Sequence, residues 1–217
     1  MINTSINTSL TRAFLTTIAL IGLGVSMLGA GVTDSAWAPK VQVGQAAPEF
    51  TLTDIDGKEH TLSEYTSKGQ IVVLEWFSPV CPFVKKHYRD DTMTMINIEK
   101  DFKDQSVVWL RMNSARAGHP ASNIETNKKA IEKWGITTPI LMDPKGTVGR
   151  IYGAKRTPEM YIIDATGTLV YHGAIDDRND GQSPGGVNFV RTGLTELIAG
   201  EEITAATTKA YGCTIKY

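Results

Sequence analysis

The sequence predicts an α/β fold in which a central mixed β-sheet is flanked by helices. Three observations carry that expectation. From residue 41 onward, strand-like runs alternate with helix-spaced stretches; one run, 71–77, is apolar almost throughout; and two strand-like segments near the end flank a turn rich in Asp, Thr and Gly. The resulting order, β-α-β-α-β-β-α, requires a mixed sheet with helices on both faces.

Residues 50–52 form a short extended piece before the Asp56-Gly57 turn, and 61–63 follow it. Gly69 precedes Ile71-Val72-Val73-Leu74-Glu75-Trp76-Phe77, a run that reads as a strand covered on both faces. Pro79 and Pro82 end it. Pro82 suits the first turn of a helix, where its missing N–H costs nothing, and the helix is predicted to continue to Lys100. Residues 107–110 read as a second buried strand. Residues 124–134 have helical spacing, with Ala130, Ile131 and Trp134 on the apolar side and lysines opposite. Residues 140–142 precede an Asp143-Pro144-Lys145-Gly146 turn. Residues 160–163 and 168–171 flank Asp164-Ala165-Thr166-Gly167 as a hairpin. A last amphipathic helix spans 188–199, closed by Gly200, and a polar tail, 201–217, carries Cys213. No internal repeat or linker divides the region 41–200.

Charge is nearly balanced, 22 Lys+Arg against 23 Asp+Glu, which argues against a nucleic-acid-binding surface. The N-terminal segment differs in kind. Arg12 is the only charge before Asp34, residues 13–32 are apolar or small, and Ala36-Trp37-Ala38 has a small-x-small pattern. Residues 1–38 therefore read as a signal peptide, or as an uncleaved N-terminal anchor, since Pro39 would follow the cut. Either reading exports the chain, to a periplasmic or other extracytoplasmic location. Two cysteines remain, Cys81 and Cys213, far apart in sequence (213 − 81 = 132).

Cys81 sits where a buried strand hands over to a helix, where orphan N–H groups and the helix dipole favour a thiolate. Lys85, four positions on, shares that helix face. The alternative is an inert core cysteine. Glu75 is the one charge within the strand: either a buried carboxylate able to move protons for the thiol, or an outward-facing residue paired with a lysine. Thr157-Pro158 opens a strand at a bond that can be cis. His60, His87, His119 and His172 show no ligand spacing, so neither metal nor cofactor is expected, and His87 reads as a helix-surface or supporting residue.

Several segments in order resemble the redoxins of the alkyl hydroperoxide reductase/thiol-specific antioxidant group. They are 43–52 with Asp56-Gly57-Lys58, 75–84 around Cys81, 152–164 around Thr157-Pro158, 172–177, and the terminal Gly212-Cys213-Thr214-Ile215-Lys216-Tyr217, which is similar to one peroxiredoxin-like subgroup. The resemblance implies a thioredoxin-like fold with N-terminal extension strands and a redox-active Cys81 supported by Ser78, Pro82, Lys85, Glu75, Arg156, Thr157 and Pro158. The departures are specific. Val84, or in the other alignment Ser78, stands where a thioredoxin-type site has its second cysteine. Leu74 and Ser78 stand where a peroxiredoxin has proline and threonine, and its arginine falls near Pro158, close to Arg156.

With no local partner, an adduct on Cys81 requires another thiol to resolve it, and Cys213 on a flexible tail is the candidate. The expectation is an enzyme, a thiol-disulfide oxidoreductase or a thiol-dependent peroxide reductase, regenerated by an external thiol or thioredoxin-like donor. The alternative is a non-catalytic redoxin domain with a structural Cys81–Cys213 disulfide that binds a peptide or partner. Closing that loop would stabilise the fold by roughly 4–5 kcal/mol in the chain-entropy model.

Overall fold

The computed structural model describes residues 41–217; the expected leader or anchor, 1–38, lies outside the described residues. Sixteen short elements follow. An N-terminal hairpin, β1 (Thr51–Asp54) and β2 (Glu59–Thr61), turns at Gly57, whose φ of +87° suits glycine. Then come α1 (Leu62–Thr66), β3 (Ile71–Trp76), α2 (Pro82–Lys85), α3 (Thr94–Phe102) and β4 (Val107–Asn113). After a 3-10 turn at Pro120–Ser122 follow α4 (Ile124–Trp134), β5 (Ile140–Met142), α5 (Thr147–Tyr152), β6 (Arg156–Thr157) and β7 (Glu159–Ile163). β8 (Leu169–Gly173), α6 (Phe189–Ile198) and β9 (Cys213–Thr214) complete the series.

Seven strands form one sheet in the order β2-β1-β5-β4-β3-β7-β8, while β6 and β9 pair separately. β3 runs parallel to β4 and antiparallel to β7, so the sheet is mixed, and the hairpin β1–β2 extends one edge as expected. β3 is central and wholly buried. Its alternate residues feed two cores. Val73 and Phe77 pack with Trp109, Ile162, Trp134 of α4, Ile98 of α3 and Leu194 of α6. Val72, Leu74 and Trp76 pack on the other face with Leu110, Tyr161, Leu62 of α1 and Tyr152 of α5. Cys81 belongs to the first core.

Local capping explains why some boundaries fall where the sequence places them. Asn123 accepts the Thr126 N–H at the start of α4, and Gly135 closes it at φ +62°. Asn188 does the same for Arg191 at the start of α6.

The expected helix 82–100 is instead two helices. Lys86, His87 and Tyr88 are successive and all fully buried. At 100° per residue, three such positions span too wide an arc for one helix lying on the sheet. The chain leaves the helix after Lys85, the Thr92 hydroxyl donates to Lys86 O at 2.7 Å, and Met93, at φ +42°, opens α3.

The expected flexible tail is also different. His172 N donates to Ala206 O, Thr208 N to His172 O, and Ile215 N to Lys155 O, while the Ile215 side chain is buried. The Tyr217 hydroxyl donates to Ala154 O at 2.7 Å, its ring packing against α5 where Gly146 and Gly149 leave no space for a side chain.

Candidate active site

Where β3 ends, Phe77 N still donates to Met112 O, and Ser78-Pro79-Val80 lead into Cys81 at the N-cap of α2. Pro82 occupies the first helical turn, and the N–H groups of Val84 and Lys85 donate to the Cys81 carbonyl. The Cys81 side chain is 2% exposed and its Sγ donates to the Thr157 carbonyl at 3.1 Å. α2 is a single turn, so the dipole behind Cys81 is that of a few peptides rather than the long helix anticipated. Lys85 points into solvent, and the lysine taken inside is Lys86.

Thr157 is presented by a constrained loop. The Thr157-Pro158 bond is cis. The buried Glu159 carboxylate accepts the N–H groups of Lys155 and Arg156, both at 2.7 Å, and also contacts His172 Nε2 at 2.8 Å. Opposite Thr157 in the β6–β9 pair stands Cys213. Its side chain and that of Cys81 line one cavity, and both thiols are free. Burial first, then the neighbouring Cys81 sulfur, push the Cys213 thiol up to about 12. Gly212 makes this approach feasible: at φ +112°, a Cβ there would lie 2.2 Å from the Thr157 carbonyl oxygen.

Arg156 turns to the tail. Its guanidinium donates to Thr214 Oγ1 at 2.9 Å, pinning the tail. Ser78 contributes its carbonyl to the Cys81 N–H and, with both cysteines, lines a cavity of about 170 Å³. Phe77, Val80, His119 and Ile215 are among its other walls.

Glu75 is fully buried on the Cys81 face of the sheet, which decides between the two readings of its orientation. One carboxylate oxygen accepts Tyr88 OH at 2.6 Å and Trp109 Nε1–H at 3.0 Å, with Arg111 Nε at 3.5 Å; the other has no partner. Burial raises its pKa to about 7, against the pull of Arg111, Tyr88 and Trp109. Arg111 is shared with Glu99, so its charge is divided between two carboxylates.

Sequence reasoning found Cys81, Cys213 and the Thr157-Pro158 turn but missed a second polar cluster beside them. His87, expected as a helix-surface or supporting residue, is not at the surface but buried, and burial lowers its pKa to about 4. It meets Tyr211 and Asp176 there, alongside Lys86. The cluster's trace in the sequence is the adjacent polar pair Lys86-His87 inside a segment expected to be one helix.

Fold and site together define a thioredoxin-fold thiol oxidoreductase. The model of the AhpC/TSA family matches residues 43–172, and the chain belongs to that family. Over 158 residues it is 30% identical to the thiol-disulfide oxidoreductase ResA of Geobacillus thermodenitrificans, covering 73% of this chain and 82% of that one. Among solved structures, an uncharacterized conserved protein from Geobacillus kaustophilus superposes with a TM-score of 0.71 at 28% identity, covering 81% of this chain and 92% of that one. The thioredoxin domain of a thiol-disulfide oxidoreductase from Bacteroides vulgatus shares the fold (TM-score 0.50, 21% identity, 61% of this chain and 89% of that one).

Proposed function

We propose that this chain is an exported thiol-disulfide oxidoreductase in which Cys81 is the nucleophile and Cys213 the resolving thiol. The observation that carries the reading is the pair itself: two free thiols lining one cavity, both set by Thr157, whose carbonyl accepts Cys81 Sγ and which pairs with Cys213 across β6–β9, with no second cysteine in the Cys81 turn. The Cys81 thiolate attacks one sulfur of a substrate disulfide, forming a mixed disulfide and releasing the first thiolate. Cys213, giving up its proton, then attacks the Cys81 sulfur, closing Cys81–Cys213 and releasing the second thiolate. An external thiol or thioredoxin-like donor reduces the pair again. Glu75 bonds neither cysteine; it is a buried carboxyl, titrating near neutrality on the same face of the sheet. Export rests on the apolar segment 13–32 and the Ala36-Trp37-Ala38 pattern.

Peroxide reduction is the second reading, favoured by the cavity of about 170 Å³, which suits a small molecule. There Cys81 takes one oxygen from the peroxide to become a sulfenic acid, releasing alcohol or water, and Cys213 displaces water from it. Titration against glutathione, with insulin reduction and peroxide consumption measured in parallel, tests these readings. A pair more oxidising than about −300 mV, active on insulin and inactive as Cys81→Ser, is expected. A pair reduced only below that potential, inert in both assays, is a structural staple and overturns the proposal. Peroxide turnover without insulin reduction moves the assignment to the second reading.

A further inference from the structure

Two residues before Cys213, Tyr211 reaches from the tail into buried charge that the proposed chemistry does not use. Its hydroxyl donates to Asp176 Oδ1 and lies 3.1 Å from His87 Nε2. The Lys86 ammonium sits 4.5 Å from the centre of its ring, and the Phe83 ring stands beside it, centroids 6.0 Å apart. Lys86 donates to Arg178 O at 2.5 Å and lies 3.7 Å from Asp176 Oδ1. Asp176 also accepts the N–H groups of Arg178 and Gly185, at 3.1 and 2.6 Å. The Lys86, His87 and Asp176 side chains are all at most 1% exposed.

Burying a lysine and a carboxylate is costly, and an apolar patch of similar volume would hold a tail as firmly. What the charged cluster adds is a single placement. The Tyr211 hydroxyl meets Asp176 and His87 in one orientation, with Lys86 at its ring. Between Tyr211 and Cys213 there is only Gly212, pressed against the Thr157 carbonyl.

We infer that Tyr211, held by Asp176 and Lys86, is a positioning residue that fixes the Cys213 sulfur against Cys81 and so sets how readily the two join. This rests on the cysteine pairing proposed above. A tethered thiol that is not oriented meets its partner at effective concentrations of about millimolar, and orientation raises that by orders of magnitude.

Glutathione disulfide supplies a defined oxidant. The two thiols lose two electrons and two protons to it, forming one Cys81–Cys213 bond and two molecules of glutathione. Tyr211→Phe removes the hydroxyl and keeps the ring. Its equilibrium constant for closing the disulfide is expected to fall about tenfold, the effect of one hydrogen bond to a charged group, making the pair about 30 mV more oxidising. Asp176→Asn should weaken closure similarly, and the double variant should shift the potential little beyond either, because both remove the same Tyr211–Asp176 bond. If Tyr211 only holds the fold, Tyr211→Phe will lower the Tm of reduced and oxidised protein alike and leave the potential at its wild-type value. That result overturns the inference, as does simple additivity in the double variant. If wild type itself closes no Cys81–Cys213 bond under glutathione disulfide, the underlying pairing has failed and the inference falls with it, a result distinct from an unmoved potential.

Discussion

Glu75→Gln isolates the most perturbed carboxyl in the core. Folded, Glu75 holds its proton to about pH 7, against a reference of 4.5, because burial outweighs the attraction of Arg111. Between those values the native state binds more protons than the unfolded state, so stability falls as pH rises, levelling above about 7. A shift from 4.5 to about 7 corresponds to roughly 3 kcal/mol at 1.36 kcal/mol per unit. Gln keeps an acceptor for Tyr88 OH and Trp109 N–H but does not titrate. Urea unfolding followed by tryptophan fluorescence, from pH 4 to 8, measures both proteins under one protocol. The stability of wild type minus that of Glu75→Gln is expected to fall by roughly 3 kcal/mol across this window, with the slopes of all other titrating groups cancelling. Parallel curves would refute the reasoning. They would mean that Arg111 outweighs burial and keeps Glu75 ionised throughout.

Gly212→Ala places a methyl 2.2 Å from the Thr157 carbonyl oxygen at φ +112°. The bridge must shift, costing about 1–3 kcal/mol in denaturant unfolding and slowing Cys81–Cys213 closure under glutathione disulfide. Lys86→Ala leaves Asp176 short of a buried cation and should cost about 3–5 kcal/mol, whereas Lys85→Ala, in solvent, should stay within about 0.5 kcal/mol by the same measurement. Asn188→Ala removes the side-chain cap on the Arg191 N–H and should lower stability by about 1 kcal/mol, read as a shift in the urea midpoint without a change in slope.

The strand 71–77 was legible because burial on both faces leaves an apolar run, and 124–134 because one face of that helix is apolar and both ends carry caps. Cys81 could be placed from the strand and Pro82 beside it. The break after Lys85 was not legible: its cause is the successive burial of Lys86, His87 and Tyr88, two of them polar, against partners distant in sequence. The tail was opaque for a related reason. Backbone pairing and hydroxyl contacts hold Thr208, Tyr211, Cys213 and Tyr217, and such contacts impose no period on the residues that make them. Arg156 entered through the resemblance, as the arginine nearest Pro158; its contact with Thr214 became visible only once β9 was in place.

The pairing of Thr157 with Cys213 also joins redox state to folding. A cysteine three positions from Cys81 could meet it in a largely unfolded chain. Over the observed separation (213 − 81 = 132), random closure is disfavoured by roughly 3 kcal/mol more, so a bond formed in the proposed cycle would report that β3, β6 and β9 have assembled. In the proposed cycle, oxidised protein resists unfolding by roughly 4–5 kcal/mol more than reduced protein. Each turnover would then pass through a state in which the chain is easier for a protease to open, and its lifetime would depend on how long it waits, reduced, for substrate.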